Sequence, residues 1–237
     1  MNNNLLQIKI KQRLNKLASF DYDNIECWQI QEAFNKAQLE WVRRMVYGIN
    51  SRKESSEQTT GLVDDLQILI KSEYLYKQAT KFKDYYEVLL PLDYLYFIRS
   101  DVYAKNACCP EPRRMTVYQA EEANMGVLLT SHTKGPSFEW GETLCTLSSD
   151  KLRIYTNNEF DLEDIILTYY RVPAEVKFEL CIDPSTGKET KLNKGVRCEF
   201  KDDIAEILVD QAAAILAGDI ESMNQYQRGT QVVQTNS

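Results

Sequence analysis

A chain of 237 residues with 43% apolar and 27% charged side chains can bury one sizeable core or two small ones. Its net charge is −7 and its pI about 5.0. Neutralising phosphates takes clustered Lys and Arg, so nucleic-acid binding is not the default reading. No run approaches the ~18 apolar residues of a membrane span, and LLQIKIKQRL is too interrupted by charge for a signal peptide.

Leu6, Ile10, Leu14 and Leu17 recur at helical spacing and predict a first amphipathic helix over residues 4–18. FDYDN reads as a loop. The clearest helix follows over Glu26–Tyr47, with Ile30, Phe34, Ala37, Trp41 and Met45 on one stripe and Gly48 and Asn50 where it stops. Such a stripe is a core face. Trp28, Trp41 and Tyr47 add more aromatic surface than one helix needs, which makes them candidate subunit-interface residues. NSRKESSEQTTG is a linker or exposed loop, and Leu62, Leu66, Leu69 and Ile70 suggest a short third helix.

The middle of the chain changes character. YYEVLLP and YLYFIRSDVYA predict strands broken by Pro91. Cys108–Pro112 is expected to be a turn region, Arg114–Tyr118 a strand and Glu121–Leu129 a short helix, with Ser131–Gly141 loop-like. Leu144–Leu147 and Leu152–Tyr155 form an expected hairpin around Ser148, Ser149 and Asp150. DIILTYYRV, ending at Pro173, is the strongest strand. Val176–Cys181 and Lys191–Phe200 flank the turn sequence DPSTGKE. A final helix begins at the capping pair Asp203 and Glu206, carries Ile204, Leu208, Ala212 and Ile215, and stops at Gly218.

The expected fold is α+β: N- and C-terminal helices packed as a small bundle, with a mostly antiparallel β module inserted. The expected boundaries are 1–80 for the N-terminal helices, 81–200 for the β module, 201–221 for the C-terminal helix and 222–237 for an extended tail. The tail, SMNQYQRGTQVVQTNS, is polar and Gln-rich. Tyr226, Val232 and Val233 are its bulky anchors, and Gln231 with its neighbouring glutamines could pair with a partner's backbone. Charge is uneven too. Residues 1–17 hold Lys9, Lys11, Arg13 and Lys16 and no acid, while residues 201–221 hold one base against six acids. That favours head-to-tail contact between copies, although solvated helix faces also explain it.

Chemistry is harder to find. The six cysteines show no metal-ligand spacing and read as free thiols. Thr186–Thr190 lacks the first glycine of a phosphate loop and reads as a hairpin turn. His132 beside Ser131 has no nucleophile elbow and reads as a surface histidine. The adjacent pairs Asp64–Asp65 and Glu121–Glu122 point to different helix faces and cannot be assigned as an acid/base pair. Carboxylates of a glycosidase or metal-dependent enzyme would converge only in the fold, so an enzyme stays a third reading that nothing here favours, and no catalytic residue, metal or cofactor is assigned.

In their order, these elements resemble the head–tail connector (adaptor or ring) proteins of short-tailed bacteriophages, especially virion ring proteins of crAss-like phages. The resemblance rests on Ile30–Gln38 in the long helix, Leu90–Tyr96 opening the strand-rich middle, Leu167–Pro173 with its tyrosine–x–arginine–x–proline pattern, and Glu206–Ala212 in the last helix. The Ala107–Pro112 segment departs from it. The resemblance implies a homo-oligomeric ring, a dodecamer, between the portal protein and neighbouring tail or neck proteins. Genomic DNA would pass through its lumen without sequence-specific binding. It implies a protein made in the host cytoplasm and located in the virion, with no membrane, catalytic residue or cofactor. The alternative is a cytoplasmic protein- or peptide-binding module that works through its β module.

Overall fold

The computed structural model describes residues 1–15, 25–47, 64–75, 79–182, 189–191, 195–219 and Gln231. They form an α+β protein with two compact units. One joins Met1–Ile68 to Pro173–Ser237, and the other is Leu69–Val172. These boundaries differ from the expected 81 and 200. The segment 70–74 is already a strand of the large sheet, and the chain after Pro173 is tied to the helices instead.

In the first unit, helices span Asn3–Asn15, Cys27–Tyr47 and Asp202–Asp219. Leu6, Ile10 and Leu14 are buried on the first, as the periodicity predicts. The long helix buries Ile30, Phe34, Ala37 and Trp41, while Met45 at its end is only half-buried. Trp41 meets Phe200 edge-on, with ring centroids 5.2 Å apart. The C-terminal helix buries Ile204, Leu208 and Ala212, but also Ala205, Val209, Ala213, Ala214, Leu216 and Ala217. It is therefore covered on more than the one stripe its periodicity suggested.

Polar side chains hold the segment after Pro173 to the long helix. Asn35 accepts from the Val176 N–H at 2.8 Å and donates to the Val176 carbonyl at 3.2 Å, and Gln31 accepts from the Phe178 N–H at 3.1 Å. Asn3 donates to the carbonyls of Lys177 and Val196, which bridge each other. The strands β9 (Leu180–Ile182) and β10 (Glu189–Lys191) then pair antiparallel; the turn expected between them lies outside the described residues, as do FDYDN and the NSRKESSEQTTG linker.

Cys27 and Cys181 form a disulfide, which corrects the expectation that all six cysteines are free. The reason is spatial: 154 residues separate them in sequence, yet the polar clamps seat the Val176–Cys181 segment against the start of the long helix. Reading spacing alone could not see that pairing.

The second unit is an eight-stranded sheet. Its strands are β1 (Ile70–Tyr74), β2 (Thr80–Lys81), β3 (Tyr85–Leu89), β4 (Tyr94–Asn106), β5 (Cys109–Gln119), β6 (Glu142–Ser148), β7 (Lys151–Tyr155) and β8 (Asp161–Arg171). Their order is β1-β8-β4-β5-β6-β7-β3-β2, curled and antiparallel except for the parallel pair β5–β6. A parallel step needs a crossover, supplied by the turn Glu122–Asn124 and the short helix Met125–Thr130. The core lies on the inward face, with Val102, Ala104, Met115, Leu152, Ile154, Leu162, Ile165, Leu167 and Tyr169 all buried.

The β6–β7 hairpin turns at Ser149 and Asp150, and Ser149 takes a positive φ of 58°, as tight hairpins require. The expected turn at Cys108–Pro112 is smaller in the structure. Asn106 pairs with Cys109, and β5 already contains Pro110 and Pro112. The prolines fit there because β6 joins β5 only from Thr116 onward, leaving that stretch with an open side among the described residues.

Candidate functional site

Trp28 is half-buried, Tyr47 is 60% exposed and Trp41 is 2% exposed. Trp41 is a core residue packed on Phe200, so the expectation that it faces another chain is corrected. Of the tail anchors, Tyr226, Val232 and Val233 lie outside the described residues. Gln231 is exposed. His132 is exposed in a turn.

The opposite charges of the two chain ends meet within one chain. Lys9 pairs with Glu206 and Arg13 with Asp210 at 2.7 Å, while Lys201, the one base of the acidic end, pairs with Asp64 and Asp65 at 2.9 and 3.3 Å. The charge asymmetry therefore has an intramolecular outlet and loses its force as an argument for contact between copies.

Polar residues missed by the sequence reading lie in the long helix. Gln31, Asn35 and Gln38 follow i, i+4, i+7 spacing beside the apolar stripe. Gln38 donates to Asn35 at 3.0 Å and accepts from the Cys198 thiol at 3.8 Å. A second, polar stripe on a buried helix was the available signal.

Two polar clusters occur in the sheet unit. In the first, the buried Tyr169 donates to Asp93 Oδ1 at 2.7 Å and contacts Glu73 Oε2 at 3.2 Å, while Lys71 meets Asp93 Oδ2 at 2.9 Å. Burial, together with Asp93, pushes the Tyr169 hydroxyl pKa well above its ordinary value. Burial alone would raise Asp93, but the Tyr169 hydroxyl and the Lys71 ammonium hold it below the usual carboxylate range. The hydrogen bond to Asp93 in turn raises Lys71. A neutral phenol and a paired ammonium are poor bases, so this cluster is suited to holding β1, β8 and the β3–β4 turn together.

The second cluster lies along β8. β4 runs beside β8 from Asp161 to Arg171, whereas β1 pairs only with Ile166–Tyr170, extended by the Leu75 N–H to the Ile165 carbonyl at 2.8 Å. Beside residues 161–164 the other flank of β8 has no strand assigned among the described residues, and residues 76–78, which follow Leu75, lie outside them. A cleft of about 540 Å³ lies there, lined by Lys81, Tyr86, Lys105, Asp161, Leu162, Glu163 and Asp164. Side chains bridge it. Lys81 of β2 pairs with Asp161, Tyr86 of β3 donates to Asp161 at 3.1 Å, and Lys105 pairs with Glu163 at 2.6 Å. The Lys81 ammonium holds Asp161 below the usual carboxylate range. Among the described residues no cluster of His, Cys, Asp and Glu could hold a metal ion, and no helix is long and apolar enough to cross a membrane.

Comparison with family models and with curated proteins gives no match.

Proposed function

We propose that the chain is a structural virion protein that forms a ring in a phage head–tail connector, joining portal to tail around the DNA passage. The observation that carries this reading is the order of the four connector-like motifs along the chain. The architecture is compatible with it: both chain ends build one helical unit, and the sheet unit is inserted between them. In this reading the ring is homo-oligomeric, a dodecamer by resemblance, and its lumen lets DNA slide. Lys and Arg bound to phosphate would grip the duplex in a salt-sensitive way, and a net charge of −7 suits passage instead. No catalytic step or cofactor enters.

Cryo-EM of the intact particle tests this reading through the symmetry at the neck. A closed ring of identical copies supports it. A single copy in the assembled particle, or a lumen lined by a continuous Lys/Arg band that binds duplex tightly at physiological salt, overturns it. Isolated protein is not the decisive sample, because connectors can assemble only on their template.

The second reading, a protein- or peptide-binding module without catalytic activity, is favoured by the cleft beside β8. The two readings separate on copy number.

A further inference from the structure

We propose that Cys108 and Cys109 form a covalent docking site for a second copy of this chain. Two β4–β5 hairpin tips meet about a twofold axis and join through two disulfides, each between Cys108 of one copy and Cys109 of the other. This inference concerns unassembled protein and stands apart from the connector reading, because neighbours within a ring are related by its rotation and not by a twofold axis.

All six cysteines of the chain lie among the described residues. Cys27 and Cys181 are bonded to each other, and Cys145 and Cys198 are buried. Cys108 and Cys109 are therefore the two of the six that are both free and exposed. Surroundings in which the Cys27–Cys181 bond persists are oxidising, and exposed thiols react there as well. The pair is badly placed to close on itself. The Cys108–Cys109 peptide is trans, and consecutive Cα atoms across a trans peptide lie about 3.8 Å apart, whereas a disulfide spans about 4.4–6.8 Å. The partner sulfur then comes from outside the chain.

The hairpin presents both residues at the surface. Asn106 pairs with Cys109 across the turn, and every residue from Ala107 to Arg114 is exposed. Pro110 and Pro112 have no N–H to give, so the start of β5 is a poor edge for a backbone ladder with another strand. Contact at this tip passes through side chains instead.

Symmetry selects the occupant. In a twofold contact, residue i of one copy meets residue j of the other, and j meets i. An axis between positions 108 and 109 sets each Cys108 opposite Cys109 of the other copy and uses both thiols. An axis through either single position makes one bond and leaves the other thiol unmatched. Once one bond has formed, the second closes within the linked pair and gains from effective concentration. A small thiol gains nothing of that kind. The step needs an oxidant of the disulfide class, such as oxidised glutathione. The Cys109 thiolate attacks one glutathione sulfur, and the first glutathione leaves as thiolate. The Cys108 thiolate of the other copy then attacks the Cys109 sulfur and expels the second. Per bond, two protein thiols are oxidised, one glutathione disulfide is reduced to two thiols, and two protons pass from the former to the latter.

The test uses full-length protein in glutathione redox buffers, quenched with acid. It is read by non-reducing electrophoresis and by mass spectrometry of the linked peptides. The parent is expected to form a dimer with Cys108–Cys109 bonds between chains, while dilute monomer keeps both thiols open to alkylation. Cys108→Ser and Cys109→Ser are exposed substitutions whose melting temperatures should match the parent's. Each should lower dimer yield at a fixed glutathione ratio at least tenfold, because the remaining bond has no second one to hold it. An equal mixture of the two variants, one carrying a mass label, should give heterodimer well above the half share of random pairing. The inference is overturned by monomer carrying glutathione only, or by a Cys108–Cys109 bond within one chain. It is equally overturned by single variants that dimerise as well as the parent, or by heterodimer at the random share. A connector ring could still be found in each of those cases.

Discussion

The Tyr169 hydroxyl donates a 2.7 Å hydrogen bond to Asp93, tying the middle of β8 to the turn between β3 and β4. Tyr169 is fully buried, and the same hydroxyl reaches Glu73 on β1. Tyr169→Phe keeps the ring and removes only the hydroxyl. The loss leaves Asp93 with Lys71 as its remaining side-chain partner, and should lower unfolding stability by about 1–3 kcal/mol. Urea denaturation measures it; an unchanged midpoint would show that the cluster is not a structural clamp.

Acid should destabilise the sheet unit. Lys81 holds Asp161 low, and Lys151 with Arg153 holds Glu87 low; Asp93 is low despite its burial. A carboxylate depressed in the folded state contributes stability above its unfolded pKa, about 4. That contribution fades as pH falls through the lower folded values. The melting temperature should therefore hold between pH 7 and 5 and drop below about pH 4. Asp93→Asn should flatten part of that drop. A melting temperature that rises on acidification would contradict the assignment.

Trp41 belongs to the core of the helical unit. Trp41→Ala should cost about 3–5 kcal/mol. Trp41→Phe should recover most of it, since it preserves a ring against Phe200 and removes a buried indole N–H that lacks a hydrogen-bond partner among the described residues. If Trp41 were an interface residue, the alanine variant would melt normally and fail only in assembly.

The thiols should fall into three classes. Cys27 and Cys181 are bonded, Cys108 and Cys109 are exposed and free, and Cys145 and Cys198 are buried and free. Burial pushes the Cys145 thiol up to about 12 and raises Cys198 as well. Alkylation of the oxidised native protein should thus label Cys108 and Cys109 quickly, and the buried pair only after unfolding. Reduction should remove about 2–5 kcal/mol of stability. Mass spectrometry finding Cys27 alkylated without reductant would refute the bond.

Deleting residues 222–237 should leave the melting temperature nearly unchanged and block incorporation into particles. Two valines and a tyrosine cannot offset an ordering cost of about 1–2 kcal/mol per residue without a partner surface. A truncated protein that unfolds, or one that assembles normally, would remove the tail's docking role.

Sequence by itself determined most of the elements, because helix and strand periods are local properties of the chain. Ile30, Phe34, Ala37 and Trp41 announced the long helix, and the run into Pro173 announced β8. The α+β class followed from their order. What only the tertiary structure decided depends on groups brought together from far apart. The Cys27–Cys181 bond, the Lys9–Glu206 and Arg13–Asp210 pairs and the Tyr169–Asp93 bond all join residues at least 76 positions apart. The cleft beside β8 is of the same kind. Its bridging pairs, Lys81 with Asp161 and Lys105 with Glu163, join residues 80 and 58 positions apart. No single strand's residues encode contacts of that kind.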